Sequence, residues 1–408
     1  MMLSLYILLV FGSPIIADST DKLISAIVLF RHGDRAPYDR LSNESYRSYF
    51  PYGLGRLTPK GIEHTYELGT FLRQRYVDTG FLQTPLHAEQ VYFRSKANDR
   101  CLMSASLVAQ AMFNNGSDIL PVAPIFSQES KDWLLSGDLI CDEISERIQA
   151  KCNRTPKPHY EQYTEFQGLV FECLGLHKNN TIFPTGKSFE LAESLISEDK
   201  NGLPMPKWYE EHRDEIYKYF LQVENFIAGA AQYHSPKSLR MHSGYLLHSI
   251  LDKFNASWAR FSTHGTLETK KFVAISTQDW LMQAFMDSLG IRAASLGEST
   301  YPPFNSLIIL ELHLLKNEPV IKAFYRDHLN ATVSDVTASI RNCHSKDACP
   351  LKNVLSCCDD YINLNPEETC HASHAEELSM NNGAYMKVSP VSIFLLSIGL
   401  LYWLTFID

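Results

Sequence analysis

The sequence predicts an α/β fold: a mostly parallel central sheet, helices packed against it, and a helical cap inserted into the chain. Three observations carry this. Residues 25–30 (Ser25 to Phe30) form a short apolar run without polar alternation, as expected for a strand buried on both faces. Two more short strand-like runs, Gln90–Phe93 and Lys271–Thr277, are each followed by a helical pattern, the order expected of βα units. Between them, from about residue 136 to 234, the strand signal fades and helical periodicity takes over.

The 408 residues are enough for a large core, and 45% hydrophobic with 20% charged residues is a globular composition. A net charge of -9 argues against general nucleic-acid binding. Taken in order, residues 1–17 read as a signal peptide: the apolar stretch Leu3–Phe11 is followed by Gly12, Pro14 and the small Ala17. The first strand ends abruptly in Arg31-His32-Gly33-Asp34-Arg35-Ala36-Pro37, and residues 38–56 are a polar surface loop. Thr58 then caps a helix with Pro59 at its first position, its apolar face running through Tyr76. The strand Gln90–Phe93 releases Arg94, and Asp99 precedes a helix from Arg100 to about Phe113. Residues 18–135 thus form the first half of the α/β core.

Residues 136–234 are the cap insertion. Helices are expected around Trp133–Leu135 at its entrance, in the run to Gln149, and from Trp208 to Tyr233. An amphipathic helix, Ser238–Phe254, returns the chain to the second half of the core, residues 235–340. There the strand Lys271–Thr277 ends in Gln278-Asp279 before a helix from Trp280 to Leu289. Residues 306–314 and 320–325 form a hairpin around Lys316-Asn317-Glu318-Pro319. Five of the nine cysteines follow residue 340, so 341–387 reads as a disulfide-stapled tail. Residues 388–407 are long and apolar enough to span a bilayer. A single-pass helix is expected there, with a cleaved lipid-anchor signal as the alternative. Sequons at Asn43, Asn115, Asn153, Asn179, Asn255 and Asn330 fit a lumenal or extracellular location.

The chemistry concentrates at strand ends, where open α/β sheets bind ligands. Arg31 and Arg35 are permanently charged planar forks suited to a phosphate, and His32 between them is a nitrogen nucleophile in a cationic nest. Cleaving a phosphate monoester through an enzyme-bound phosphoryl group needs an unprotonated nucleophile, cations on the nonbridging oxygens, and a proton for the leaving alkoxide. His32, then Arg31, Arg35 and Arg94, and finally Asp279 are the candidates, and neither metal nor cofactor is needed.

Arg31–Pro37 resembles the signature of the histidine acid phosphatases, the branch of the histidine phosphatase superfamily that includes lysosomal and prostatic acid phosphatases. Gly55-Arg56-Leu57-Thr58-Pro59-Lys60-Gly61 and Tyr92-Phe93-Arg94-Ser95, with Asp99-Arg100 and Leu102-Met103-Ser104-Ala105, resemble later blocks of that family. The resemblance implies a three-layer α/β sandwich with a helical cap, and an extracytoplasmic acid phosphatase acting on a small phosphate monoester. It implies His32 as phosphorylated nucleophile, Arg31, Arg35 and Arg94 as phosphate ligands, and Asp279 as proton donor. It also implies disulfides Cys141–Cys370 and Cys343–Cys349 and a homodimer; a third family pair has neither partner here, and the pairing of Cys101, Cys152, Cys173, Cys357 and Cys358 is open, with Cys152–Cys173 one candidate. The departure is Gln278, where the family has a histidine that contacts phosphate. An amide still donates hydrogen bonds but is never cationic, which opens the alternative of a weak or inactive phosphate-ester-binding protein.

Overall fold

The computed structural model describes residues 21–370 except 115, 117–120, 136–141, 158–159, 179–181, 184–187, 298–300 and 346. Its sheet contains β1 (Lys22–Arg31), β2 (Val91–Ser95), β3 (Ile125–Phe126), β4 (Phe272–Thr277), β5 (Leu307–Leu315), β6 (Glu318–Arg326), β7 (Ser334–Asp335) and β8 (Cys349–Pro350). The strand order is β3-β2-β4-β1-β5-β6-β7, with β8 on β6. Strands β3, β2, β4 and β1 are parallel neighbours, joined by crossovers. From β5 onward the pairing is antiparallel, beginning with the expected β5–β6 hairpin, so the sheet is mixed.

Nine helices concern the site and its cover: α1 (Pro59–Leu72), α2 (Asp99–Phe113), α3 (Asp142–Cys152), α4 (Tyr163–Cys173), α5 (Ala192–Lys200), α6 (Lys207–Ala228), α7 (Pro236–His264), α8 (Asp279–Leu289) and α9 (Arg292–Leu296). Strand β1 shows why its sequence is apolar on both faces. Ala26, Val28 and Phe30 pack with Leu68 and Leu72 of α1 and Val108 and Met112 of α2. Ile27 and Leu29 face the other way, toward Leu247 and Ile250 of α7 and Phe285 of α8. The three layers follow from this alternation. Helices α3–α6 pack around a separate apolar cluster that includes Ile144, Phe166, Leu195, Ile216 and Ile227, and Tyr301 joins it.

Local signals explain the helix ends. Thr58 accepts a hydrogen bond from the Gly61 amide at 3.1 Å with Pro59 at the first position of α1, and Asn98 caps α2 by accepting from Cys101 at 3.0 Å. Helix α6 stops at Ala228, short of the expected Tyr233, because Gly229 turns into the left-handed region at φ 68°. Trp133–Leu135 is a turn rather than a helix. On β5, Glu311 is 3% exposed yet fully engaged. It accepts from Arg75 at 2.8 and 3.0 Å, from Tyr76 at 2.7 Å and meets His313 Nε2 at 3.0 Å. Burial pushes its carboxyl up, but the bonds from His313, Arg75 and Tyr76 outweigh this and hold it at about 2.

The cysteines depart in part from expectation. Cys152 and Cys173 are bonded, tying the ends of α3 and α4 at a Cα separation of 5.1 Å. Cys357 and Cys358 are bonded to each other. Cys370 is disulfide-bonded, while its expected partner Cys141 lies outside the described residues. The Cys343–Cys349 bridge is corrected: both are buried free thiols, neighbours that hydrogen-bond rather than join. Of the sequon asparagines, Asn43, Asn153, Asn255 and Asn330 are exposed, whereas Asn115 and Asn179 lie outside the described residues. The single-pass membrane placement is also corrected. Among the described residues no helix is long and apolar enough to cross a membrane. Residues 1–17 and 388–407, read as signal peptide and span or lipid-anchor signal, lie outside them.

Candidate active site

The parallel strands end level with one another, Arg31 opposite Thr277 and Ser95 opposite Ser276. Their carboxyl ends open into a pocket of about 340 Å³ lined by His32, Arg35, Arg100, Glu224, Gln278 and Asp279, among others. A larger cleft of about 1070 Å³ lies between α6 and α8–α9 and holds none of the residues expected to react.

Strand alternation continues past the core. Arg31 leaves β1 on the α8 side and His32 on the α2 side, so adjacent residues meet different helices. The loop that follows is packed tightly onto α1: a Cβ at Gly33 would lie 2.7 Å from the Gly61 carbonyl oxygen. The His32 amide donates to Thr277 O at 3.1 Å, and the Gly33 amide to Ser104 Oγ at 3.1 Å. Asp34 anchors the loop through His64 Nδ1 at 3.0 Å and Asn305 Nδ2 at 3.3 Å.

His32 is 1% exposed, and both its nitrogens are engaged. Nδ1 lies 2.9 Å from the Gly33 carbonyl, which only accepts, so Nδ1 carries the proton. Nε2 lies 3.2 Å from Arg100 Nε, which only donates, so Nε2 presents its lone pair. Burial, then the charges of Arg100, Arg31 and Arg35, hold the imidazole well below its ordinary value, and the ring is neutral. The neighbouring thiol of Cys101 is no rival nucleophile, because burial pushes it up to about 11.

Three guanidinium groups surround this ring. Arg31 pairs with Asp279, donates to Pro302 O at 2.7 Å and lies over the Phe304 ring at 4.2 Å. Arg35 donates to Glu193 of α5 at 2.6 Å, and the other Glu193 oxygen accepts from the Tyr38 amide at 2.9 Å. Arg100, in the first turn of α2, lies over Tyr38 at 5.0 Å. Arg94, expected as the third phosphate ligand, is not among the residues lining the pocket. Val91 and Phe93 of β2 face α2, so Arg94 points to the opposite side with Tyr92 and pairs with buried Asp132 at 2.6 Å. Arg100 stands in its place. The strand ends at Ser95, Lys96 and Asn98 of the link line the pocket, and the first guanidinium to reach it comes from the helix. The signal for this was Asn98, a cap residue that sets Arg100 in the first turn.

Gln278 and Asp279 open α8 opposite His32. Trp280 Nε1, which only donates, lies 3.2 Å from Gln278 Oε1. The Gln278 carbonyl is thereby fixed, and its N–H groups are the part left to meet an oxyanion. Asp279 accepts from the Trp280 amide at 2.9 Å and lies beside Arg31 and Tyr301. Burial pushes its carboxyl up, but Arg31 and Arg35 outweigh it and hold it below the usual value. The pocket is lined by His32, Arg35, Gln278 and Asp279, with Arg31 behind it on Asp279, and also by Arg100, Glu193, Glu224 and Tyr301, which the sequence did not single out.

A family model described as histidine phosphatase superfamily (branch 2) matches residues 22–326. The chain is 33% identical over 415 residues to putative acid phosphatase 1 of Caenorhabditis briggsae, covering 95% of this chain and 92% of that one. It is 27% identical to prostatic acid phosphatase of Bos taurus, covering 80% and 83%. Among solved structures, the phytase of Citrobacter braakii superposes with a TM-score of 0.56 at 15% identity, covering 86% of this chain and 99% of the other, a likeness of fold. With the family model spanning the strands that build the pocket, the chain belongs to branch 2 of the histidine phosphatase superfamily.

Proposed function

We propose that the protein hydrolyses phosphate monoesters in two steps, with His32 as the group that becomes phosphorylated. The observation that carries this reading is the state of His32. Its proton sits on Nδ1, tied to Gly33, and the Nε2 lone pair faces Arg100 in a nest of guanidinium groups. A neutral imidazole so placed is a nucleophile whose target is drawn in as an anion. Its lowered pKa keeps it neutral as pH falls through the ordinary imidazole range, which suits work in acid.

In the first step Arg31, Arg35 and Arg100 hold the nonbridging oxygens, and Arg100 exchanges its bond to Nε2 for one to phosphate. Nε2 forms the N–P bond, the P–O bond to the leaving group breaks, and Asp279 supplies a proton to the departing oxygen. In the second step water attacks phosphorus, the Asp279 carboxylate takes its proton, the N–P bond breaks and inorganic phosphate leaves. Asp279 is ionised while paired with Arg31. A bound phosphate takes over Arg31 and places negative charge beside Asp279. Both changes raise its pKa, so the acid form accompanies substrate. Gln278 contributes neutral N–H donors where the histidine implied by the family resemblance would contribute charge.

The test follows release from a chromogenic phosphate monoester by the purified full chain from about pH 4 to 7. His32→Ala is expected to lower kcat by at least about a thousandfold while phosphate still binds. If the wild type is as inert as His32→Ala and both bind inorganic phosphate, the binding-only reading that Gln278 favours replaces this one.

A further inference from the structure

Glu224 of α6 is a carboxyl group that the two-step scheme does not use. It is 2% exposed and lines the same pocket, on the cap side. Gln167 of α4 donates to its Oε1, and the Tyr301 hydroxyl lies 3.2 Å from its Oε2. The Tyr301 hydroxyl also neighbours Asp279, whose pKa it lowers as a donor would. The Tyr301 phenol therefore stands between two carboxyl groups with one proton to give, while the Tyr163 hydroxyl faces Glu224 alone.

That arrangement fixes the proton count. Asp279 has Arg31 and the Trp280 amide, but among the described residues no cation pairs with Glu224, so ionising both carboxyls would leave a buried negative charge unpaired. With one extra proton each contact is satisfied in sequence: Glu224 donates to the Tyr301 oxygen, and Tyr301 donates to Asp279. Asp279 is ion-paired with Arg31, so the extra proton resides on Glu224. We infer that Glu224 stores the proton that Asp279 delivers to the leaving group, and that Tyr301 passes it between them. This rests on the phosphatase reading above and deepens it.

The transfer balances. When phosphate takes Arg31 from Asp279, the Glu224 O–H bond breaks as that proton moves to the Tyr301 oxygen. The Tyr301 proton moves to Asp279, and Tyr301 is left unchanged. Asp279 then protonates the leaving oxygen. In the second step the proton that Asp279 takes from water returns by the same path to Glu224. The groups facing Glu224 are Gln167 and Tyr163 from α4, Asp279 from α8, Arg31 from β1, and Tyr301. Burial, then the charge of Asp279, holds Glu224 up to about 8, against the smaller opposing effects of Gln167, Tyr301 and Arg31. Glu224 is thus protonated throughout the acid range and loses its proton only as pH rises through that value.

The experiment compares Glu224→Gln and Tyr301→Phe with wild type on two esters. Glycerol phosphate has a poor leaving group that needs a proton, and dinitrophenyl phosphate has one that leaves without it. The relay predicts that each variant loses at least about tenfold more kcat on the alkyl ester than on the aryl ester, with KM changed little. Wild-type kcat on the alkyl ester should persist toward pH 8, and in both variants its fall with rising pH should begin lower. Equal losses on the two esters, or unmoved pH profiles in variants that still bind inorganic phosphate, would overturn the relay and leave the phosphatase reading standing. A wild type inert on both esters overturns the phosphatase reading and the relay with it.

Discussion

The two walls of the pocket are built from opposite materials. The sheet side presents Arg35 and Arg100 around a neutral His32, with Arg31 behind on Asp279, all fixed by strand ends and the first turn of α2. The cap side presents Glu193 and Glu224 with Tyr163, Phe166 and Phe220. A buried guanidinium cluster is costly without counter-charge: the cap supplies Glu193, which pairs with Arg35 across the pocket, and α8 supplies Asp279, which pairs with Arg31. The sheet wall thus fixes where phosphate sits, and the cap wall sets how strongly its cations are occupied beforehand.

This contrast can be broken from the sheet side first. Arg100→Met should lower kcat/KM for a chromogenic phosphate monoester by about a hundredfold or more, because one donor to the transition state is lost. Arg94→Met should leave phosphate binding nearly intact and instead cost about 3–5 kcal/mol of stability by stranding buried Asp132, seen as a lower midpoint in urea unfolding. Equal kinetic losses in the two variants would refute the placement of Arg94 outside the pocket. Next, Gln278→His restores a donor that can be charged and should raise kcat by about ten- to a hundredfold in acid. No change would remove position 278 from contact with the reacting phosphate. The smallest effect is expected on the cap wall: Glu193→Gln frees Arg35 and should tighten inhibition by inorganic phosphate by about tenfold, a charge-assisted contact being worth about 1.5 kcal/mol more than a neutral one. Weaker inhibition would mean that Glu193 positions Arg35 rather than competing for it.

Much of the sheet wall was legible in the sequence, for a physical reason. A strand buried on both faces writes itself as an uninterrupted apolar run, and the polar residues that end it fall at the ligand-binding edge. Arg31, His32, Arg35 and the pair Gln278-Asp279 were found that way. The same reasoning misplaced Arg94, because position at a strand end does not say which face a side chain leaves by. That depends on register, and Arg94 emerges beside Tyr92 toward Asp132. The cap acids were not legible. Glu193 and Glu224 sit in helices with ordinary amphipathic patterns, where an acid reads as part of a solvated face. Only their burial against Arg35 and Tyr301 distinguishes them. The Cys152–Cys173 bridge was one candidate among open pairings, whereas pairing of adjacent Cys357 and Cys358 carried no sequence signal.

The engaged carboxylate on β5 has a bearing on where such a catalyst can survive. A carboxyl group whose folded pKa is depressed adds stability above its unfolded value, near about 4.3, and loses it as pH falls toward the folded one. For Glu311 the folded value is about 2, so this clamp between Arg75, Tyr76 and His313 outlasts most side-chain carboxylates as the surroundings acidify. The sheet that aims His32 is thus braced by a contact that acid loosens late, so the strands keep their register as the surroundings acidify.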